Sequence, residues 1–224
     1  MFVFLTDNTK LKYTDHLRHL RELPSERQQT LRSFRFEADY LASLAGDLLL
    51  KYALRTTYGI DAMPMISTGE NGKPFFPDSD IHFNISHSGK YTVCAMGDTP
   101  VGVDIQEIDT DDQKQVLSIA HHFFSEQEIE SIRKSSDMID RFFTIWCLKE
   151  SYVKYTGTGM IVPLDSISFA PDESSNSAEL FIDGQKQSFP YFFITTIDDH
   201  YRFSICSDDR SVSMIDVDPL ELAR

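Results

Sequence analysis

The order of predicted secondary structure places this chain in the α+β class, as two similar lobes that divide near residue 100. A strand, a helical block and a group of strands are followed by a second helical block and a second group of strands. The 224 residues, 41% hydrophobic and 25% charged, are sufficient for two small lobes without disulfide support. Because no linker composition separates residues 1–100 from residues 101–224, we expect the lobes to pack closely.

The first lobe is predicted to begin with a strand and to continue with helices. Residues 1–7 hold five apolar residues before the first charge, which is too short for a secretory signal and typical of a strand. Helices are predicted over residues 14–23, from Pro24 onwards, and over residues 34–58, where leucines recur on one side. Gly59 is the expected cap of the last of these helices.

Strand-like segments then follow a turn-rich stretch around Asn71-Gly72. They cover residues 81–86, 91–96 and 101–105, and the short breaks between them predict an antiparallel meander. The second lobe is predicted as helical over residues 111–134 and 138–155. Its tail is predicted to hold strands near residues 166–169, 191–196, 201–207 and 211–217.

Composition excludes several classes of protein. A net charge of −14 disfavours wholesale binding to nucleic acid or to anionic lipid. Three scattered cysteines without metal-ligand spacing indicate reduced thiols in a cytoplasmic protein. No apolar run is long enough to span a bilayer, so no membrane partner is expected.

One predicted helix, over residues 141–154, carries the best candidates for a functional site. Glu150 and Lys154 are four residues apart and share one side of the helix, with the chain's only tryptophan, Trp146, one turn before them. A solvent-exposed ion pair is the plain alternative, and such pairs contribute little. The neighbouring tryptophan argues against full exposure and favours a site.

A second set of polar residues lies on the predicted strand over residues 101–105. Asp104 and Gln106 are two residues apart and therefore share a face. If Asp104 and Glu150 converge, two carboxylates offer the oxygen ligands that suit Mg²⁺, which usually shares its coordination with substrate phosphates. Lys154 would then face the same phosphates, the arrangement that phosphoryl transfer needs.

Residues 82–90 place hydroxyls, imidazole and free amides at a strand end, which suits a phosphate. Other sites fit the residues poorly. Ser86 and His87 are adjacent and diverge in an extended chain, and no Gly-x-Ser-x-Gly elbow is present, which disfavours a serine hydrolase. Ser88-Gly89-Lys90 lacks the earlier glycine of a nucleotide-binding P-loop.

The motifs together resemble those of Sfp-type 4′-phosphopantetheinyl transferases, in the same order along the chain. They are Asn-Ile-Ser-His-Ser-Gly at 84–89, Val-Gly-Val-Asp-Ile at 101–105, Phe-Phe-Ser-Glu-Gln-Glu at 123–128, Trp-Cys-Leu-Lys-Glu-Ser-Tyr-Val-Lys at 146–154 and Gly-Thr-Gly-Met-Ile-Val-Pro-Leu-Asp at 157–165. The resemblance implies a monomer of two similar lobes, a pseudo-dimer with coenzyme A in the cleft between them. It also implies transfer of the phosphopantetheine arm of coenzyme A to a serine of an apo acyl or peptidyl carrier protein, with release of adenosine 3′,5′-bisphosphate.

The resemblance assigns roles to individual positions of this chain. Asp104, Gln106 and Glu150 fall on the Mg²⁺ ligands, where Mn²⁺ is a possible substitute, and Glu150 and Lys154 on the catalytic positions. The positions implied for coenzyme A are Arg27, Ser43, Lys73, Ser86, His87 and Lys154. One departure concerns the metal, because the family's Asp-x-Glu reads Asp104-Ile-Gln106 here and replaces an anionic ligand by a neutral amide. A second is that Thr30 replaces a family lysine, which predicts a different coenzyme affinity.

Two other functions stay open at this level. A coenzyme A-binding or carrier-binding protein without catalysis would fit a metal site weakened by Gln106, and a Mg²⁺ phosphohydrolase would use the same carboxylates. The carrier is not specified by the sequence. Its docking surface is predicted over the loop and strand after Gly157, to about residue 181, in the second lobe.

Overall fold

A computed structural model describes residues 1–11, 18–21, 23–172 and 174–222. In chain order the helices are α1 (Ser25–Arg32), α2 (Glu37–Ala53), α3 (Gln113–Phe123), α4 (Glu126–Lys134), α5 (Met138–Thr156) and α6 (Pro219–Leu222). The strands are β1 (Phe2–Asp7), β2 (Ser67–Thr68), β3 (Pro74–Phe75), β4 (His82–Ser88), β5 (Tyr91–Gly97), β6 (Val101–Glu107), β7 (Ile167–Asp172), β8 (Ser177–Ile182), β9 (Gln185–Gln187), β10 (Tyr191–Ile197), β11 (Tyr201–Ser207) and β12 (Ser213–Asp216). Half of the predicted helix over 14–23, residues 14–17 and 22, lies outside the described residues.

Helix boundaries follow the local signals in the sequence. Helix α2 continues as one π-helical segment, Leu54–Tyr58, and ends at Gly59, which adopts the left-handed φ of +69°. The helical block predicted over 111–134 is two helices, because the chain is extended at Phe124 and Ser125. Ser125 and Glu128 then form a reciprocal capping box that starts α4.

Two sheets pack face to face between helices, in four layers. The first sheet has the strand order β12-β1-β5-β4, and the second has the order β10-β11-β6. Their inner faces meet in an apolar layer to which β1, β5, β6 and β11 contribute buried side chains. Helix α2 covers the outer face of the first sheet through one core cluster, and α5 covers the outer face of the second through another. This layering confirms the predicted α+β class with two packed lobes.

The predicted antiparallel meander is wrong in its last step. Strands β4 and β5 pair as expected, but β6 pairs with β11 in the other sheet. Strand β5 has no edge left for β6, because its two edges are taken by β4 and β1. The C-terminal strand β12 also crosses between lobes and pairs in parallel with β1. The division of the chain at residue 100 stays a prediction.

Candidate active site

Side chains of β4, rather than backbone groups, join the two sheets at their common edge. Asn84 Oδ1 accepts a hydrogen bond from the backbone N–H of Val103 at 2.8 Å, and Ser88 Oγ accepts one from the N–H of Glu107 at 2.9 Å. Between them, Ser86 Oγ accepts from the N–H of Ile105 at 3.4 Å. Alternate residues of one strand thus satisfy alternate amides of the next, and this seam fixes β6 beside β4.

Helix α5 lies unusually close to β6, because Gly102 has no side chain. A Cβ atom at Gly102 would stand 2.0 Å from the carbonyl oxygen of Ser151 and 2.3 Å from the backbone nitrogen of Tyr155. Helix and strand can touch only if this position is glycine. The contact sets the face of α5 that carries Glu150 and Lys154 over the strand that carries Asp104.

Asp104 is the centre of the site. Its carboxylate is 1% exposed, and its Oδ1 accepts from Ser86 Oγ at 2.9 Å and from the ammonium of Lys154 at 2.6 Å. Lys154 Nζ also donates to Ser86 Oγ at 2.9 Å, so three polar groups from β4, β6 and α5 form a closed triangle. Burial of the Asp104 charge is compensated by this cation and these hydrogen bonds.

Gln106 contacts the second oxygen of Asp104. Its Nε2 donates to Asp104 Oδ2 at 2.9 Å, and the side chain is half-buried at the end of β6. A neutral amide therefore stands beside Asp104 where a glutamate would place a second negative charge. A half-turn of the amide would present the Gln106 carbonyl oxygen instead of its NH₂ group.

Glu150 completes the group from α5. It is half-buried, and its carboxylate forms no hydrogen bond with other described residues. Burial raises the pKa of its carboxyl, the charge of Asp104 raises it further, and Lys154 opposes both effects. Two carboxylates and one ammonium therefore lie within electrostatic reach, and the oxygens of Glu150 accept no hydrogen bond from a described residue.

The residues expected to contact coenzyme A fall into two groups. Ser86 belongs to the Asp104 triangle, and His87 follows it on the exposed side of β4. Partial desolvation by the surrounding protein lowers the pKa of His87, and the nearby Lys154 ammonium lowers it further, whereas Asp39 and Asp104 oppose the shift. Arg27 and Ser43 lie together in the first lobe, where the guanidinium Nη2 donates to Ser43 Oγ at 2.7 Å.

A buried carboxylate that the sequence did not single out orients Arg27. Asp47 is 7% exposed, and both of its oxygens accept from Arg27 Nε, at 3.0 and 2.8 Å. Burial raises the pKa of Asp47, and the guanidinium opposes that effect. Ser43 and Asp47 are one turn apart on α2, which is the signal that could have found the pair.

Lys73 occupies a different environment from the other expected coenzyme ligands. Its Nζ donates to the carbonyl oxygens of Val101 at 3.0 Å and Tyr155 at 2.9 Å. Partial burial lowers the pKa of Lys73 to about 8. The structure does not bring Lys73 into the Asp104 triangle, and its expected contact with coenzyme phosphates stays a prediction.

The tryptophan on α5 is packed among aromatic rings. Trp146, one turn before Glu150, stacks on Phe142 at 6.0 Å and on Phe124 at 6.1 Å between ring centroids. Sequence reasoning missed Cys147, a fully buried thiol whose pKa is raised by burial and by Asp104.

Among the described residues, no group of three or more His, Cys, Asp or Glu side chains forms a ready metal cluster.

Comparison with known proteins covers nearly the whole chain. Residues 100–206 match the family described as "4'-phosphopantetheinyl transferase superfamily", and residues 11–99 match "4'-phosphopantetheinyl transferase, N-terminal". The "4'-phosphopantetheinyl transferase Sfp" of Bacillus subtilis (strain 168) is 32% identical over 202 residues, covering 88% of this chain and 87% of that protein. This chain belongs to the 4′-phosphopantetheinyl transferase family.

Another relative agrees with this membership. The "4'-phosphopantetheinyl transferase gsp" of Aneurinibacillus migulanus is 34% identical over 201 residues, covering 88% of this chain and 81% of that protein. Among solved structures, a Thermotoga maritima holo-[acyl-carrier-protein] synthase overlaps 48% of this chain and 61% of that chain, at 18% identity and a TM-score of 0.39. The predicted resemblance, the transferase activity and the fold class are confirmed, whereas the roles of individual site residues stay predictions.

Members of the 4′-phosphopantetheinyl transferase family use coenzyme A as a substrate and are generally metal-dependent. The donor set of this chain fits Mg²⁺, which is commonly held by one or two carboxylates and completed by water and substrate phosphates. Asp104 and Glu150 supply two such carboxylates near each other. The expected third ligand, Gln106, offers a carbonyl oxygen only after its amide turns.

Proposed function

We propose that this transferase moves the 4′-phosphopantetheine arm of coenzyme A to a serine hydroxyl of an apo acyl or peptidyl carrier protein. The serine oxygen forms a bond to the phosphorus next to pantetheine, the bond from that phosphorus to the bridging oxygen breaks, and adenosine 3′,5′-bisphosphate leaves. Family membership supports the reaction, and the assembly of Asp104, Glu150 and Lys154 is the observation that supports an active enzyme.

Asp104 and Glu150 would hold Mg²⁺ or Mn²⁺ against the pyrophosphate of coenzyme A, with Gln106 as a neutral neighbour. When bound, the cation neutralises phosphate charge and stabilises the charge that develops on the leaving group. In this proposal the carboxylate of Asp104 is held in place by Ser86 and Lys154 before any ligand arrives. A cation would still require the Gln106 amide, whose Nε2 contacts Asp104 Oδ2 at 2.9 Å, to turn away from that oxygen.

Lys154 provides the positive charge that belongs to the protein itself. Its side chain is 26% exposed, so the lysine contacts the buried carboxylate and also reaches solvent. Two of its donors are used by Asp104 and Ser86 at 2.6 and 2.9 Å, and the third is available for a phosphate oxygen. We assign it to stabilising charge on the pyrophosphate during attack.

Glu150 is the candidate base for the serine proton, directly or through one water. Its pKa is raised by burial and by Asp104, which brings it closer to neutral pH and makes it a better proton acceptor than an exposed carboxylate. Its lack of hydrogen bonds to described residues leaves its oxygens available to a substrate hydroxyl. The same group would then serve as ligand and as base.

The first lobe would bind the adenosine end of coenzyme A. Arg27 is 37% exposed and has donors beyond those used by Asp47 and Ser43, so it can contact a phosphate while its orientation is fixed. Ser86 and His87 lie at the adjoining edge of β4, the expected place of the 3′-phosphate.

The remaining expectations concern partners and location. We expect a monomer that binds neither nucleic acid nor membrane, and no helix in the described stretches combines the length and apolarity needed to cross a bilayer. The three cysteines are free and buried, as expected for a cytoplasmic protein. The predicted carrier-docking stretch after Gly157 includes Ile161, which is 76% exposed and would offer an apolar contact.

The proposal is tested by weighing carrier proteins after reaction. The purified protein is mixed with coenzyme A, Mg²⁺ and several apo carriers, and the carrier is expected to gain the mass of one phosphopantetheine arm. Coenzyme A binding by calorimetry without any mass gain would instead indicate a binding protein. Release of phosphate in the absence of a carrier would indicate a phosphohydrolase.

A further inference from the structure

Lys73 holds together the two elements that carry the proposed active site. It follows Gly72, which has a φ of +89°, and lies in the short β2–β3 hairpin of the first lobe. From there its ammonium reaches the carbonyl oxygen of Val101 at 3.0 Å and that of Tyr155 at 2.9 Å. Val101 is the first residue of β6, and Tyr155 lies in the last turn of α5.

The carbonyl of Tyr155 is one that a cation stabilises well, because it lies at the end of a helix. The last four carbonyls of a helix have no partner within the helix, and they form the negative end of its dipole. In α5 the carbonyl of Val153 accepts from the N–H of Gly157, and that of Tyr155 accepts from Lys73. The ammonium of Lys73 thus satisfies an end of α5 that would otherwise remain open and partly buried.

The same hairpin makes two more contacts with this helix end. Asn71 Nδ2 donates to the carbonyl oxygen of Gly157 at 3.1 Å. Gly157 has a left-handed φ of +68°, and a Cβ atom there would lie 3.2 Å from Cδ of Lys73. Glycine at this position therefore ends the helix and also makes room for the aliphatic part of the lysine.

We propose that Lys73 is a positioning residue that fixes Asp104 relative to Glu150 and Lys154, rather than a direct ligand of the coenzyme phosphates. Asp104 lies three residues beyond Val101 on β6, and Lys154 immediately precedes Tyr155 on α5. A change in the distance between the two carbonyls therefore changes the ion pair at the centre of the site. Two of the three ammonium donors are used by the protein itself.

The inference rests on the proposed function only for its kinetic part. The test uses the full chain with Lys73→Met, which keeps the stem and removes the donors, and Lys73→Arg, which keeps charge and donors. The matched control is Lys134→Met, which removes an exposed lysine paired with Glu130 at 3.0 Å. Wild-type turnover is measured first, and its absence with every carrier would count against the proposed function alone.

For Lys73→Met we expect kcat for carrier modification to fall about 10- to 100-fold, the range for a misplaced catalytic group. The Kd for coenzyme A should change less than about twofold, and its slope against salt concentration should not change, because no phosphate contact is lost. Lys73→Arg should recover part of kcat, and Lys134→Met should match the wild type. The arginine variant also keeps the test usable if the methionine variant does not fold.

Hydrogen exchange gives a readout that does not depend on activity. Without the ammonium, backbone amides at the start of β6 and in the last turn of α5 should exchange faster, while those of β10 should not. Unchanged exchange in both stretches would overturn the proposal. So would a weaker Kd for coenzyme A with a smaller salt slope, which would show a phosphate contact, or a lower Tm with unchanged kcat, which would show a purely structural role.

Discussion

Helix α5 carries two lysine–carboxylate pairs only five residues apart, and they differ in how completely the protein encloses them. Lys149 and Glu128 are each 1% exposed and lie 2.9 Å apart. Lys154 is 26% exposed, and its partner Asp104, at 2.6 Å, is 1% exposed. One pair is closed to solvent on both sides, and the other is open on the side of the cation.

The closed pair has all of its hydrogen-bonding capacity used by the fold. Lys149 Nζ also donates to the carbonyl oxygens of Leu164, at 2.7 Å, and Ile167. Glu128 accepts from the N–H groups of Ser125 and Phe169, both at 2.9 Å. Each charge is thereby fully compensated, and nothing is left with which to bind a ligand. The pair anchors α4 and β7 to α5.

The open pair differs because one of its partners, Lys154, is partly exposed to solvent. Lys154 keeps a donor free, and Glu150, one turn before it, has oxygens that no described residue occupies. The contrast shows how two pairs with the same chemistry on one helix serve different ends. Enclosure converts an ion pair into an anchor, and partial exposure keeps it available to a charged substrate.

The largest expected effect follows from breaking the closed pair. Lys149→Met leaves the Glu128 carboxylate buried without its cation, and we expect the free energy of unfolding to fall by about 3–5 kcal/mol. Denaturant titration measures the loss. The double variant Lys149→Met with Glu128→Gln should recover much of the stability, because no buried charge is left unpaired. A double variant no more stable than the single one would contradict the view of the pair as an anchor.

Breaking the open pair should act on turnover instead of stability. For Lys154→Met we expect kcat for carrier modification to fall about 100- to 1000-fold, the usual loss when a transition-state charge contact is removed. The free energy of unfolding should fall by less than in Lys149→Met, because water reaches the Asp104 side of the cleft once the lysine is gone. Steady-state kinetics and denaturant titration on the same samples separate the two effects. A stability loss equal to that of Lys149→Met would remove the distinction between the pairs.

The two pairs also show how far sequence reasoning reaches. Helix α5 could be predicted, because the helical period places Glu150 and Lys154 on one side. The sequence raised the convergence of Asp104 with Glu150 only as a condition, and the ion pair between Lys154 and Asp104 was not predicted. The complete burial of Lys149 could not be predicted. Its neighbour Glu150 is only half-buried, and the local sequence does not show which of the two charged side chains is enclosed. Burial depends on what packs against the helix from Ser125 and Leu164, far along the chain.

Strand pairing limited the prediction in a similar way. Strand β6 could be predicted, but its pairing with β11 could not. Short apolar strands resemble one another in sequence, so the pattern does not specify which strand of which sheet each one pairs with. The seam with β4 depends on Asn84, Ser86 and Ser88, whose alternation is visible in the sequence but fits a solvated strand face as well. The hydrogen-bond partners of Lys73 could not be predicted from the sequence either, because a long flexible side chain can reach a phosphate or a carbonyl.

A smaller effect should come from restoring a charge next to the open pair. Gln106→Glu removes the donor that contacts Asp104 Oδ2 at 2.9 Å and adds a third carboxylate. We expect the Mg²⁺ concentration for half-maximal activity to fall about tenfold, because an added anionic oxygen ligand strengthens binding of a hard cation. Without the cation the variant should be less stable, since like charges then lie side by side. Gln106→Met serves as the control, and it should not strengthen the response to Mg²⁺.

The smallest expected effect concerns His87, on the exposed side of β4. The charge of Lys154 lowers the pKa of this histidine. Partial burial and that ammonium lower its pKa in the free protein, so the ring is mostly neutral at pH 7.5. A 3′-phosphate beside it would favour the imidazolium, so binding would take up a proton. The affinity for coenzyme A should therefore rise as the pH falls from about 7.5 to about 6, by a few-fold.

Calorimetry across this range measures the change, with 3′-dephospho-coenzyme A and His87→Gln as controls. Equal pH dependence for the two coenzymes would place the 3′-phosphate away from His87 and leave Lys154 and Arg27 as the cations that receive the phosphates.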